Sequence, residues 1–160
     1  GEGRGVAFAR DEHDQAYVAM VAHVAVDAAT GTMRVRRITV AHDCGLIINP
    51  AGVRNQIEGN VLQALSRALK EEVYFDVRGQ TSLDWEAYPI LTFSEVPEID
   101  ITLLDRPDEP SMGAGEPATV TVAAAIANAI YAATGARLRQ VPFTPARVRA
   151  ALATSPPSTS

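Results

Sequence analysis

The sequence has one cysteine, Cys44, in 160 residues. A single thiol excludes an internal disulfide, a cysteine-based zinc site and an iron–sulfur cluster held by this chain alone. Cations are also in the minority, with 14 Lys and Arg against 19 Asp and Glu and a formal charge of −5. Nucleic acids and anionic membranes are bound through clustered Lys and Arg, so nucleic acid is not expected as a partner, despite the local basic run RLRQVPFTPARVR. Long apolar runs are missing too. A bilayer span needs about 18 to 20 uninterrupted apolar residues. The best candidate, near 118–133, is Ala-rich and broken by Thr119, Thr121 and Asn128, so no transmembrane segment is expected. The chain opens on GEGRG without the initiator methionine, basic start and apolar stretch of a signal peptide, and reads as cut from something longer.

What is present fits one domain with a sizeable core, since 47% of the residues are hydrophobic. The segments AYVAMVAHVAV (16–26), DAATGT and MRVRRITVAHD predict a β-hairpin. Its alternation is imperfect across Met33–Ile38, which predicts one buried face and one partly covered. Asn49-Pro50 is a cap followed by proline at the first helical position. Val53, Ile57, Val61, Leu65 and Leu69 then recur at steps of four, predicting an amphipathic helix. On it, Gln56, Asn60 and Gln63 form an uncharged amide stripe beside Gly59, a pattern that by itself favours a solvated face.

VYFD with a turn at RGQ predicts another strand, and YPILTF leads into a strand from Ile99 to Leu104. TVTVAAAIANAIYAATG predicts a second long helix, from about Pro117 to Thr134, closed by Gly135, and Thr144-Pro145 opens a short third one. The expected fold is α+β, with two hairpin-like strand groups packed with two long helices. Residues 1–153 form one unit without internal repeats, and 154–160 form a disordered Pro/Ser tail.

Three stretches bear on chemistry. His42, Asp43 and Cys44 are adjacent on a strand, where neighbours point to opposite faces, so they do not readily close on one metal. DEHD (11–14) reads as a solvated loop. SMGAGEP (111–117) is less ordinary. Glu116 stands where a helix cap belongs but is the wrong residue for capping. Gly113 and Gly115 call for positive φ or for something bulky packed against the backbone. A phosphate cradle is a poor reading, because a fixed carboxylate repels an anion and the lysine of a nucleoside-triphosphate loop is missing. The residues alone leave three roles open for Glu116: general base, partner in a helix-start salt bridge, or part of a surface turn.

GVAF near the start, DCGLIINP followed by QIEG, the GAGEP turn and the closing AAAIANAIYAATGARLRQVPFTPARV occur in this order. With these motifs the chain, up to about Val148, resembles the C-terminal portion of the large, molybdopterin-binding subunit of the xanthine dehydrogenase and aldehyde oxidoreductase superfamily. The branch most like it contains isoquinoline 1-oxidoreductase, nicotinate dehydrogenase and related aldehyde dehydrogenases. The resemblance implies a fragment of a molybdenum-cofactor-binding domain, in a hydroxylase that oxidises an aldehyde or N-heteroaromatic carbon with water-derived oxygen. It makes Glu116 the catalytic base and Gln56 the glutamine that hydrogen-bonds the pterin. Gly113, Ala114 and Gly115 become the backbone passing close to the cofactor, with no metal ligand from this chain. Glu58 is read as structural. The implied partners are the remainder of the same large subunit, an iron–sulfur subunit and a small-molecule substrate, in relatives that are either periplasmic or cytoplasmic. The isolated chain is expected to fold but to be inactive and free of molybdopterin. The alternative is a catalytically silent packing domain of a larger subunit.

Overall fold

The computed structural model describes residues 1–11 and 16–154, so most of the DEHD run and the tail 155–160 lie outside the described residues. In chain order the elements are β1 (Glu2–Asp11), β2 (Ala16–Val26), β3 (Met33–Asp43), α1 (Pro50–Leu69), β4 (Phe75–Asp76), β5 (Gly79–Gln80), β6 (Glu98–Leu104), α2 (Thr119–Thr134) and α3 (Pro145–Thr154). β4 and β5 pair only with each other, while the other four strands form one sheet in the order β1-β2-β3-β6. The architecture is α+β, as the pattern predicted.

The predicted hairpin forms between β2 and β3, from Val26 opposite Met33 to Tyr17 opposite Asp43. Its turn is stabilised locally by the Asp27 carboxylate, which accepts the N–H groups of Ala29 and Thr30 at 2.9 and 3.2 Å. The imperfect alternation has a physical cause. Arg37 lies opposite His23 while Val35 lies opposite Val24, so Arg36 is an extra residue in a β-bulge. Val35 and Ile38, three apart in sequence, therefore face the same buried side.

α1 and α2 cover one face of the sheet, and Met20, Ile38, Ile57, Leu65, Ile126 and Ile130 are fully buried between the layers. The approach of α2 to β1 is close enough to require glycine. A Cβ on Gly3 would fall on the backbone of Ala129 and Ala133, and one on Gly5 on that of Ala125 and Ala129. The alanines of α2 supply the matching smooth surface. Both sheet edges are blunted by side chains: Asn128 donates to the Val6 carbonyl at 2.9 Å, and Arg54 to the Ile101 carbonyl at 2.8 Å. The opposite sheet face is open, with Val6 and Phe8 exposed.

Three expectations change. β6 does not belong to a second hairpin group but runs parallel to β3, with Arg37 opposite Glu98 and Asp43 opposite Leu104. That pairing depends on the long connection through α1, which no local pattern encodes. α2 begins at Thr119, with Ala118 at the cap position and no side-chain cap. Glu116 precedes a proline, which disfavours helical backbone at that residue, and its main-chain carbonyl accepts the Thr119 N–H and hydroxyl at 2.9 and 2.7 Å. Thr154, expected in the tail, is the last residue of α3. The left-handed Gly135 does close α2, with φ 74°.

The segment between α1 and β6 is pinned at both ends. Arg147 of α3 bonds Glu72 at 2.6 Å, Lys70 bonds Glu95 at 2.6 Å, and the Ser66 hydroxyl accepts the Leu91 N–H at 2.9 Å. Partial burial of Glu95 opposes its charge, but Lys70 together with the hydroxyl and N–H of Thr92 outweighs it and lowers its pKa to about 2.

Replacing Gly5 by Val should force α2 off the sheet and cost about 3 kcal/mol, read as a lower urea midpoint; an unchanged midpoint would contradict the close packing. The lowered pKa of Glu95 contributes stability that is present above the ordinary glutamate pKa of 4.5 and fades as pH falls from there towards about 2. Thermal midpoints of Glu95→Gln should therefore lie below those of the parent at pH 7 and converge with them near pH 2; parallel curves would rule the pair out as a pH-dependent contributor.

Candidate functional site

The site forms where three distant segments meet: the loop after β3, the first half of α1, and the strap that joins β6 to α2. The strap is laid across the loop by main-chain and charged contacts. The Met112 N–H donates to the Cys44 carbonyl at 2.9 Å and the Arg106 N–H to the Gly45 carbonyl at 3.2 Å. The Asp105 carboxylate accepts the Ile47 N–H at 3.2 Å. Arg106 also pairs with Asp43, Nε to Oδ2, at 3.1 Å. Gly45 has φ 73°, and a Cβ there would strike the Pro110 carbonyl, so glycine is needed for the strap to dock.

Asn49 starts α1 as anticipated, accepting the Gly52 N–H at 3.0 Å ahead of Pro50 at the first helical position. Gln56 follows on the exposed side of the helix. A Cβ added to Gly115 would stand 3.5 Å from the Gln56 side-chain nitrogen, so the two sequence-predicted residues adjoin across the site. The Gln56 amide makes no hydrogen bond to another described residue. One turn on, Asn60 is 6% exposed and donates its side-chain N–H to the Ala114 carbonyl at 3.2 Å. Between helix, loop and strap lies a cleft of about 200 Å³ lined by residues including Leu46, Ile48, Val53, Gln56, Met112 and Ala114.

Gly113, Gly115 and Glu116 are exposed, whereas Pro117 and Ala118 are buried and anchor the end of the strap. Neither Gly113 nor Gly115 has positive φ, and a Cβ on Gly113 would meet nothing within 4 Å. Of the two reasons for glycine considered from sequence, left-handed backbone is thus absent, and the turn presents an open rim. The Glu116 carboxylate has no ion pair or hydrogen bond among the described residues, which removes the helix-start salt bridge as its role there.

The amide stripe divides. Gln56 and Asn60 face the strap, whereas Gln63 lines a separate groove with Ser66, Ile90 and Phe93. Glu58 is exposed. His42, Asp43 and Cys44 diverge. His42 is fully buried with neither ring nitrogen hydrogen-bonded, and burial lowers its pKa from the usual 6.5 against the opposing charge of Asp43. Asp43 turns to Arg106, and Cys44 lines the cleft with its thiol pKa raised by burial and by the charges of Asp43 and Asp105. Among the described residues no group of three His, Cys, Asp or Glu is placed to hold a metal ion.

Sequence reasoning missed the tethers. Asn60 was visible only as part of the stripe, and Arg106 did not stand out at all. Neither has a local signal for its partner, 54 residues away for Asn60.

Comparison with known proteins bears on what this geometry serves. The family described as molybdopterin cofactor-binding domain matches residues 5–97, which include Gln56 and stop short of the strap. A nicotinate dehydrogenase subunit of Pseudomonas putida is 53% identical over 156 residues, covering 94% of this chain and 13% of that protein. The beta subunit of isoquinoline 1-oxidoreductase from Brevundimonas diminuta is 33% identical over 146 residues, covering 91% and 19%. The crystal structure of quinoline 2-oxidoreductase from Pseudomonas putida 86 superposes with a TM-score of 0.80 at 34% identity, over 88% of this chain and 19% of that one. The chain therefore spans only 13% to 19% of the length of these relatives. With more than half of its residues matched and the same fold in a solved relative, the chain belongs to the molybdopterin cofactor-binding domain family.

Proposed function

We propose that the chain supplies the catalytic base and one wall of the molybdenum-cofactor site in a longer hydroxylase subunit that oxidises an N-heteroaromatic or aldehyde carbon with water-derived oxygen. The observation that carries this reading is the free Gln56 amide lying against Gly115, the residue that precedes the exposed, unpartnered Glu116. The 53% identity to a nicotinate dehydrogenase subunit supports the N-heteroaromatic class.

The residues present fit such a cofactor. An amide offers both a donor and an acceptor, as a pterin edge requires, and Gln56 has both unused among the described residues. The exposed Gly113 and Gly115, with no Cβ on either, leave the turn approachable by a bulky group on both sides of Ala114. When bound, the cofactor supplies the two-electron acceptor and the reactive oxygen. Glu116 accepts the proton released in the reaction. Its backbone direction is set by the following proline, and Pro117 is buried, so the carboxylate starts from a fixed point. Leu46, Ile48, Val53 and Met112 give the cleft beside Gln56 an apolar lining. One wall is not a site, so cofactor retention and turnover need the rest of the large subunit, and electrons leave through an iron–sulfur partner.

In the assembled enzyme, Glu116→Gln keeps the size of the side chain but removes its basic lone pair. Cofactor content should persist while turnover falls by about 10²–10⁴-fold and the acidic limb of the pH profile disappears. Turnover within about threefold of the parent at full occupancy would eliminate Glu116 as the base. Gln56→Ala should instead reduce molybdenum content about tenfold through the lost hydrogen bond, with little change in thermal midpoint. A steep fall in midpoint at unchanged metal content would make Gln56 a packing residue.

A further inference from the structure

Asn60 sits in the middle of α1, where asparagine is disfavoured because its side chain competes for backbone hydrogen bonds. It is also almost completely buried, so its amide must find a partner or lose its hydration without compensation. The partner is the Ala114 carbonyl at 3.2 Å. That carbonyl belongs to Gly113-Ala114-Gly115, a stretch with one Cβ in three residues and no regular secondary structure. Left free, such a stretch would sample many backbone states, because glycine restricts φ and ψ so little.

One bond orders it through peptide geometry. The only cis peptide among the described residues is Val141-Pro142, so the Ala114–Gly115 unit is planar and trans. Aiming its C=O at Asn60 turns the Gly115 N–H the opposite way, away from α1. Only the φ and ψ of Gly115 then separate the oriented peptide from Glu116, which the buried Pro117 holds from the other side. Gln56 and Asn60 are one helical turn apart on one face, so α1 presents one free amide to the site and uses the next to hold the turn.

We infer that Asn60 is a positioning residue: its side-chain amide orients the Ala114–Gly115 peptide and thereby sets Glu116 relative to Gln56. This rests on the reading of Glu116 as the base, but the tether can be tested separately in the 160-residue chain.

The test compares the parent with Asn60→Leu and Asn60→Asp by backbone amide relaxation and by cross-relaxation between the Gln56 side-chain amide and the Gly115 α protons. In Asn60→Leu, the order parameters of Gly113 and Gly115 should fall from about 0.85 to below 0.6. The Gln56–Gly115 signal should vanish, while core amides of β2 and α2 keep their values. Asn60→Asp should be loose at neutral pH, where two acceptors face each other. It should regain order on acidification, when the protonated carboxyl can donate, a recovery that the leucine variant cannot show. Unchanged order in Asn60→Leu, or an aspartate variant equally loose at both pH values, overturns the tether. In the assembled enzyme, Asn60→Leu should lower kcat at least tenfold with cofactor content and KM nearly unchanged. A loosened turn with unchanged kcat, in an enzyme that Glu116→Gln inactivates, refutes the positioning role and leaves the base intact. Should Glu116→Gln remain active, the base reading fails, and the relaxation data still decide the tether.

Discussion

The close seating of α2 on β1 is the constraint from which the rest of the molecule follows. Gly3 and Gly5 remove two side chains from the strand, and the alanines of the helix remove the bulk facing them, so the backbones meet with no layer between. A helix seated this closely has little freedom to slide or tilt, because interiors are packed at crystal-like density and a shift of one methyl group is resisted. Its N-terminus is therefore a fixed place, and the strap that ends there inherits its position from the core.

From that anchor the strap runs back across the loop after β3 and the first turns of α1. Each tether has a different chemistry: a main-chain pair at Cys44 and Met112, an ion pair at Asp43 and Arg106, and a buried amide at Asn60. Asp43 is mostly covered while Arg106 is partly exposed, so the pair is more than a freely hydrated surface contact. The result is a turn whose ends are rigid and whose middle carries almost no side chains. Such a turn can bring a carboxylate to a defined location while leaving its own backbone approachable.

The apolar surface left uncovered belongs with the modest share of its relatives that the chain represents. Trp85, Leu83, Phe75 and Phe93 are exposed on the segment between α1 and β6, and Val6 and Phe8 on the open sheet face. Yet that segment is tied at Glu72 and Glu95 by ion pairs, so its exposed side chains are presented from a shaped support. Side chains of this size left in water are expected where a domain is one piece of a larger assembly.

Local pattern was enough to specify the β2–β3 hairpin, the two long helices, the Asn49-Pro50 start and the Gly135 stop, because each depends on residues within a few positions of one another. Gln56 and Glu116 became candidate site residues through the family resemblance carried by QIEG and GAGEP, since the amide stripe by itself favours a solvated face and Glu116 by itself leaves three roles open. The parallel pairing of β6 with β3 was decided only by tertiary structure. So was the fact that Gln56 and Gly115 adjoin while Gln63 turns elsewhere. The physical reason is the same throughout: strand partners, the fit of α2 on glycine and the hold of Asn60 on Ala114 each join residues dozens of positions apart. Their energies exist only once the core has closed around them.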